Sequence, residues 1–238
     1  MPTVQRQDHD AISVLRLDRT ERRNAMDSEL LAELLEALAE QAARDDLRVL
    51  VVSTTSDQAL SAGADVTEAL DDAAGIARME AFTRLYAAVE AFPVPTVAVC
   101  VGNVVGAGAE LAAGCDLRVG GHNLKLAWAG ARHGVPVGPA RLVPLVGLSR
   151  AKELVYTGRV VGAGEAEEIG FLNRVVPAAR AEEAALELAG QVAAGSPESL
   201  RQLKAMFRDL GGDAGRVAYE NGLLTAFQRD GAGLPRGA

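Results

Sequence analysis

Residues 94–119 read VPTVAVCVGNVVGAGAELAAGCDLRV and combine a β-branched run, a glycine–alanine run and a single carboxylate, Glu110. The segment 95–101 suits a buried strand and AELAAG is typical of a short helix, so the glycine–alanine run is predicted to form a strand-to-helix turn. Backbone N–H groups at such a turn are unpaired and lie at the positive end of the helix dipole, where they can hold an oxygen that gains negative charge. Small residues allow a ligand to approach this backbone closely.

A second small-residue turn, LSAGAD at residues 60–65, follows the strand-like run LRVLVVS. By itself it is a weak signal, because it also suits a simple turn in which Asp65 caps a helix. Gly106 and Gly108 likewise also suit close helix–strand packing, while a dinucleotide site fits poorly because Leu111 replaces the third glycine of the usual fingerprint. Two turns that each offer an N–H to one carbonyl oxygen are, however, what the stabilisation of an enolate requires.

Apolar periodicity predicts an α/β fold with crossover connections. AISVLRL and LRVLVVS are typical of strands, and between them DSELLAELLEALAEQAARDD predicts an amphipathic helix capped by Asp27 or Ser28. Strand, helix and strand in this order predict a largely parallel sheet. Beyond residue 177 the pattern is helical alone, so we predict a core over 1–177 and a helical region over 178–238 that packs against another subunit.

The composition is that of a folded α/β protein without a nucleic-acid-binding or membrane surface. Of 238 residues, 49% are hydrophobic, 24% are charged and 4% are aromatic, which argues against a disordered chain. A formal net charge of −8 without a lysine-rich stretch argues against binding of nucleic acid or an anionic membrane. The two cysteines and three histidines follow no ligand spacing, so no metal site is expected. No apolar run has the length of a signal peptide or a membrane span, and the expected location is cytoplasmic.

Five motifs in order resemble the crotonase superfamily, also called the enoyl-CoA hydratase/isomerase superfamily. They are LDRTERRNAMDSEL, LSAGAD, VPTVAVCVGNVVGAGAELAAGCDLRV, LVGLSRAKELVYTGR and AEEIGFLNRVVP, within residues 10–230. The resemblance implies a crotonase-like spiral of ββα units with a C-terminal helical oligomerisation domain, assembled as a homotrimer or a dimer of trimers. It also implies an acyl-CoA thioester substrate, with coenzyme A as part of the substrate and no separate cofactor.

The resemblance places the catalytic groups at the two turns. The two oxyanion-hole N–H donors of the family fall on Ala64 and Ala107. Glu110 falls on the first of the two catalytic glutamates of the hydratases, where a carboxylate in apolar surroundings has a raised pKa and can exchange a proton. The competing interpretation of Glu110 is a glutamate in the first turn of a helix, favoured by the helix dipole.

Other residues are expected to bind the substrate. Leu60 and Ala62 fall where the family holds the adenine end of coenzyme A, and Arg22 and Arg23 fall on the segment beside its phosphates. The two arginines also suit an ordinary solvated pair. The remaining predicted substrate-binding residues lie beside the donors or near the family's second glutamate: Gly63, Asp65, Gly106, Trp128, Gly130 and His133.

Three departures from the family pattern affect the site of the attacking water. Gly130 takes the place of the second glutamate, Trp128 is expected to fill space next to the reacting carbons, and the segment GVPVGPARL is shorter than its family counterpart. Loss of a general acid or base costs about 10²–10⁴ in rate, so efficient hydration of a simple enoyl-CoA is not expected. His133 could replace the glutamate because imidazole exchanges protons near neutral pH, although packing or a surface position also suits it.

Three functional hypotheses follow. The first is an enzyme of this family, a lyase of hydratase type or an isomerase, in which Glu110 is the single acid/base and the amides of Ala64 and Ala107 hold an enolate. Isomerisation, elimination and C–C cleavage all fit that combination. The second is a catalytically weak homologue that binds acyl-CoA or regulates a partner, and the third is a nucleotide-dependent oxidoreductase.

Overall fold

Strands and helices alternate along residues 2–231 and 233–234, which are the residues that the computed structural model describes. The strands are β1 (Val4–His9), β2 (Ile12–Leu17), β3 (Val49–Thr54), β4 (Ala59–Ser61), β5 (Thr96–Cys100), β6 (Asn103–Val105), β7 (Leu117–Gly121), β8 (Lys125–Ala127) and β9 (Arg174–Val176). The helices are α1 (Ser28–Ala42), α2 (Asp72–Glu90), α3 (Ala107–Gly114), α4 (Pro139–Val146), α5 (Leu148–Thr157), α6 (Ala163–Glu168), α7 (Ala181–Ala193), α8 (Pro197–Gly211) and α9 (Asp213–Arg229). Short 3₁₀ turns cover Thr20–Arg22, Gly130–His133 and Ala178–Arg180.

Two sheets of different size organise the chain. The large sheet has the strand order β1-β2-β3-β5-β7-β9, with β1 antiparallel to β2 and every later pair parallel. The small sheet is parallel and has the order β4-β6-β8. Each of β3, β5 and β7 is followed by one strand of the small sheet and then by a helical segment. Three successive ββα units therefore form a spiral, which confirms the predicted architecture.

The large sheet is buried on both faces. In β3, Leu50 and Val52 belong to the main core, whereas Val49 and Val51 belong to a second cluster on the opposite face. Helix α7 packs against β3, β5 and β7 and supplies the alanines that cover this second face. The first helix of the region predicted over 178–238 thus lies on the sheet, while α9 packs against α2 and α4. The division at residue 177 stays a prediction.

The strongest local patterns form the predicted elements. The three predicted strands are β2, β3 and β5, and the leucine-rich helix is α1, whose N-terminus is capped by the Asp27 carboxylate accepting from the Leu30 N–H at 2.9 Å. Asp65 does not cap a helix, because α2 begins at Asp72 with Asp71 as its cap. Among the described residues, none of the helices is both long and apolar enough to span a bilayer.

The small sheet positions the site. Because its three strands are parallel, their carboxyl ends meet at one edge, and the turns that follow them come together there. These turns are Ala62–Ala64 after β4, Gly106–Ala107 after β6 and Trp128–Gly130 after β8.

Candidate functional site

The two glycine–alanine turns lie against each other. A Cβ atom built on Gly63 would be 3.6 Å from the Ala107 amide nitrogen and 2.9 Å from the Val105 carbonyl oxygen. Gly63 and Gly106 have positive φ angles of 102° and 52°, which glycine adopts without steric cost. The fold therefore brings the two turns close together, as predicted.

The amides of Ala64 and Ala107 are available to a ligand. The adjacent amides are used, since Ala62 donates to Arg23 O at 2.9 Å and Asp65 donates to Met26 O at 2.9 Å. Over residues 2–231 and 233–234, neither the Ala64 nor the Ala107 N–H has a hydrogen-bond acceptor. Ala107 is the first residue of α3, so its amide also lies at the positive end of the helix dipole. Two unpaired donors beside each other form an arrangement able to stabilise an oxyanion.

Close packing brings α3 to this position. A Cβ atom on Gly108 would lie 2.5 Å from the Ser61 carbonyl oxygen of β4, so only glycine allows the helix to contact the strand this closely. The packing interpretation of Gly108 is thus satisfied together with the open amide of Ala107. Close packing by Gly108 and binding of a ligand by the Ala107 amide are therefore compatible.

The donors line a cleft with mostly apolar walls. Five predicted residues besides Ala64 and Ala107 lie on its lining: Ala62, Gly63, Gly106, Gly130 and His133. The other lining residues are Val66, Met79, Phe82, Tyr86, Val105, Ala129, Val135, Val137, Leu224 and Leu234. Arg22, Arg23, Leu60, Asp65, Glu110 and Trp128 are not among them.

Glu110 lies behind the cleft wall and not on it. Its side chain is fully buried, and its Oε2 accepts a hydrogen bond from Arg141 Nε at 2.5 Å. Arg141 Nη2 donates to Glu220 of α9, and Glu220 also accepts from the Ala140 N–H at 2.8 Å. The guanidinium of Arg141 stacks 4.5 Å from the ring centre of Tyr86, which itself lines the cleft. The Tyr86 ring therefore lies between Arg141 and the cleft. Glu110, Arg141 and Glu220 together form a buried charge cluster.

The cluster contains more negative than positive charge. Burial raises the pKa of Glu110, the cation of Arg141 opposes that rise, and the carboxylate of Glu220 adds to it. The two carboxylates raise the pKa of Arg141 against the effect of its burial, so the guanidinium stays charged. The buried atoms Glu110 Oε1 and Arg141 Nη1 have no hydrogen-bond partner among the described residues. Glu110 thus has a perturbed pKa, while its orientation is set by an ion pair.

Trp128 lies in the core. It is 1% exposed and packs edge-on against Phe171, with 5.5 Å between the ring centres. The indole belongs to the main core and lies beside the Glu110 carboxylate, while the following residues, Ala129 and Gly130, line the cleft. That its bulk fills space next to the reacting carbons stays a prediction.

Gly130 occupies a position that is closed to side chains. A Cβ atom there would lie 2.7 Å from the Val135 carbonyl oxygen and 2.8 Å from Val137 Cγ1. A glutamate at this position would require the 135–137 segment to move. His133, at the end of the same 3₁₀ turn, is exposed and lies on the cleft lining.

The predicted coenzyme A residues divide into two groups. Arg22 and Arg23 are exposed, neither forms an ion pair within the described part of the chain, and the hydrogen bond from Ala62 to Arg23 O fixes them beside the first turn. Leu60, by contrast, is fully buried, and its N–H and C=O are bonded to Val101 and Asn24. Leu60 is therefore a core residue of β4.

Asp65 shapes the loop that carries the Ala64 amide. Burial alone would raise the pKa of its carboxyl, but hydrogen bonds from Thr67 and Arg19 outweigh this effect and lower the pKa to about 2. The Arg19 guanidinium lies 2.7 Å away and pairs also with Asp27 at 2.9 Å. Asp65 is thus an ionised anchor of its own loop.

Sequence reasoning missed Arg141, Glu220 and Tyr86. Arg141 stands in the segment GVPVGPARL, which drew attention only for its length, and Glu220 is a polar residue in a helix with no marked apolar face. Arg141 is 31 positions from Glu110 and 79 positions from Glu220, so no local pattern could reveal these contacts.

Comparisons with known proteins identify the fold and the family. The family model for enoyl-CoA hydratase/isomerase matches residues 7–221. The 2,3-dehydroadipyl-CoA hydratase of Escherichia coli (strain K12) is 32% identical over 220 residues, which cover 91% of this chain and 84% of that protein. The crystal structure of an enoyl-CoA hydratase from Bacillus anthracis aligns with a TM-score of 0.83 and 27% identity, over 99% of this chain and 100% of that one. A monofunctional enoyl-CoA isomerase from M. smegmatis aligns with a TM-score of 0.78 and 27% identity, over 89% of this chain and 95% of that one. Sequence and fold agree, and the chain belongs to the enoyl-CoA hydratase/isomerase family.

Proposed function

We propose that this protein binds an acyl-CoA thioester and stabilises the enolate of its acyl group in the cleft. The observation that carries the proposal is the pair of unpaired amides, Ala64 and Ala107, on one cleft wall. When a proton leaves the α carbon, negative charge moves to the thioester oxygen, and preorganised N–H donors stabilise that charge more than they stabilise the neutral carbonyl. Each such donor contributes about 3–4 kcal/mol to the transition state.

Coenzyme A would enter past the first turn. Arg22 and Arg23 supply unpaired positive charge next to Ala62, in a chain whose net charge is −8. Phosphate groups bind guanidinium strongly because both partners are charged and the geometry allows paired hydrogen bonds. No cofactor apart from the coenzyme A of the substrate is part of this proposal.

The reaction class depends on how many proton-transfer groups the cleft offers. Hydration needs a positioned water, a base for that water and an acid for the neighbouring carbon. Gly130 supplies no carboxylate, and its surroundings leave no space for one. We therefore propose a double-bond shift, an elimination or a C–C cleavage in preference to hydration. The assignment of proton transfer to Glu110 stays a prediction, and the ion pair with Arg141 weighs against it.

The same ion pair favours a second candidate function. If Glu110 is held in the interior and Gly130 replaces the family's second glutamate, the protein would bind acyl-CoA without converting it to a product. Such a protein would keep the cleft and the arginines and would act through binding alone.

Activity distinguishes the two candidates. The protein is incubated in heavy water with a panel of acyl-CoA and enoyl-CoA thioesters, and products and α-carbon deuterium are followed by mass spectrometry. An enzyme incorporates deuterium or forms product, whereas a binding protein binds the thioesters without either. Fast hydration of crotonyl-CoA would show that our proposal about the water site is wrong.

Helix α8 supports an oligomer. Its large apolar side chains Leu203, Met206, Phe207 and Leu210 are exposed and recur at the spacing of one helix face. A stripe of this kind is typical of an interface between copies of a chain. We propose a homotrimer or a dimer of trimers in which α8 contributes to the contact.

A further inference from the structure

The cleft contains very few ionisable side chains. Among the residues on its lining within the described chain, only Tyr86 and His133 carry a group that can gain or lose a proton. Burial and the nearby Glu110 carboxylate raise the pKa of the Tyr86 phenol, so this hydroxyl keeps its proton. Tyr86 therefore cannot serve as the base, and His133 is the remaining group on the wall.

Glu110 does not line the cleft, and one of its two carboxylate oxygens is held by an ion pair. Its carboxylate is bonded to Arg141 at 2.5 Å, and Arg141 is held in turn by Glu220 and by the face of Tyr86. Rotation toward the substrate would leave a buried guanidinium with one partner fewer, and a buried charge that loses its partner is strongly unfavourable. Glu110 is thus placed to hold Arg141, and Arg141 in turn supports the Tyr86 ring on the cleft wall.

The turn that carries His133 is held firmly. The Val135 N–H donates to Gly130 O at 2.9 Å and closes the turn, while Gly134 ends it in the left-handed conformation with φ of 70°. The neighbouring Arg132 is fastened to α5 through a hydrogen bond from Nη2 to Thr157 O at 2.8 Å. The turn follows β8, the neighbour of β6 in the small sheet, which brings it to the edge where Ala107 begins its helix.

We propose that His133 is the catalytic acid/base of the cleft and that Glu110 is a positioning residue. This inference rests on the proposed function. An imidazole nitrogen takes the α proton, the electron pair of the C–H bond forms the C=C bond of the enolate, and the carbonyl π pair moves to the oxygen between the Ala64 and Ala107 amides. In heavy water the exposed imidazolium exchanges this proton for deuterium from solvent and then delivers deuterium to carbon, while the C=O bond re-forms, so the step leaves a label without any further reactant.

The test measures α-carbon exchange of butyryl-CoA in heavy water by mass spectrometry. Wild type is compared with His133→Gln, His133→Ala and Glu110→Gln, and with His9→Gln, which changes an exposed histidine on β1 as a matched control. We expect His133→Gln and His133→Ala to lose about 10²–10⁴ in exchange rate. Added imidazole should restore much of the loss in His133→Ala, and Glu110→Gln should keep exchange within about tenfold of wild type, a smaller loss than removal of an acid/base causes. Binding of butyryl-CoA and thermal unfolding of each variant report whether the cleft is intact.

The outcomes separate this inference from the proposed function. If wild type exchanges but Glu110→Gln abolishes exchange while His133→Gln retains it, the assignment to His133 is wrong and the enolate chemistry stands. If wild type binds butyryl-CoA without exchange, the proposed enzymatic function fails, and the role of His133 fails with it. A loss in His133→Ala that imidazole does not restore, in a variant that still binds the thioester, shows that His133 acts through structure alone.

Discussion

Replacing Arg141 with leucine leaves two buried carboxylates without their cation. The side chains of Arg141, Glu110 and Glu220 are 1%, 0% and 5% exposed, so water cannot take over the lost contacts. Each charge-assisted hydrogen bond contributes about 1.5–3 kcal/mol, and removal of one member of a buried ion pair costs about 3–5 kcal/mol. We expect Arg141→Leu to lower the free energy of unfolding by about 3–5 kcal/mol at neutral pH.

The loss should depend on pH in a definite direction. Without Arg141, burial and the neighbouring Glu220 carboxylate raise the pKa of Glu110 in the folded state further above its unfolded value, because the cation that opposes the rise is gone. The folded variant then binds more protons than the unfolded one, so its stability is greatest at low pH and falls as the pH rises. In wild type the pKa of Glu110 is itself raised to about 7 by burial, so the two proteins differ in the protonation of this carboxyl only near and above that pH. The loss caused by Arg141→Leu should therefore be larger at pH 7.5 than at pH 5.

Guanidinium unfolding followed by circular dichroism, at pH 5 and pH 7.5 and at fixed protein concentration, measures both effects. Arg180→Leu is the matched control, because this arginine is exposed and water screens its pairs with Glu183 and Glu187, so the variant should unfold as wild type does. Leucine at all three positions of the cluster should recover much of the loss, since an apolar core can replace a buried ion pair. A loss below about 1 kcal/mol for Arg141→Leu, or one of equal size at both pH values, would refute this account of the cluster.

Three further predictions concern the cleft and the assembly. Gly108→Ala places a Cβ atom 2.5 Å from the Ser61 carbonyl oxygen, so the helix must shift; we expect a loss of about 1–3 kcal/mol in the free energy of unfolding. Arg22→Ala and Arg23→Ala should each weaken binding of butyryl-CoA, measured by calorimetry, by about tenfold at low salt and by less at high salt. Phe207→Glu, on the apolar stripe of α8, should reduce the molar mass in light scattering to that of a single chain.

Each of these has a control within the chain. Gly190 lies in α7 with open space around its Cα, so Gly190→Ala should be neutral or stabilise the fold by up to about 1 kcal/mol, in contrast to Gly108→Ala. Arg180→Ala removes an exposed arginine away from the cleft and should leave butyryl-CoA binding unchanged. Glu198→Ala changes a polar residue of α8 and should leave the molar mass unchanged. If Arg22→Ala and Arg23→Ala also leave binding unchanged, the two arginines are an ordinary solvated pair.

The sequence predicts those parts of the fold in which a local pattern is long. The leucine spacing of α1 and the β-branched runs of β2, β3 and β5 extend over five residues or more and form the expected elements. The strand VQRQDH of β1 escapes notice because its side chains are polar and face solvent at the sheet edge. The strands β4, β6 and β8 have three residues each, which is too short for any periodicity to develop.

The same distinction between local and long-range contacts decides which parts of the candidate site are predictable. The two turns could be found because glycine and alanine mark places where backbone approaches backbone, and they lie where the parallel pairing of β4 and β6 brings them together. The position of Glu110 could not be found, since its direction is decided by Arg141 and by Glu220 on the last helix. Local reasoning identified a carboxylate in apolar surroundings, and distant parts of the chain determine where that carboxylate points.

Ala107 is the first residue of α3, so its amide can be removed by a substitution that the helix tolerates. Proline is accepted at the first position of a helix because its fixed φ suits that site and no intrahelical bond needs its missing N–H. The residue before a proline is restricted to extended conformations. Gly106, at φ 52° and ψ −116°, has the mirror image of an extended conformation, which a glycine before proline can adopt because it lacks a Cβ atom. Ala107→Pro would therefore delete a main-chain donor with an ordinary genetic substitution, in a helix that is expected to stay folded. Most backbone donors can be removed only by chemical synthesis of an ester bond, and here the fold offers a simpler route.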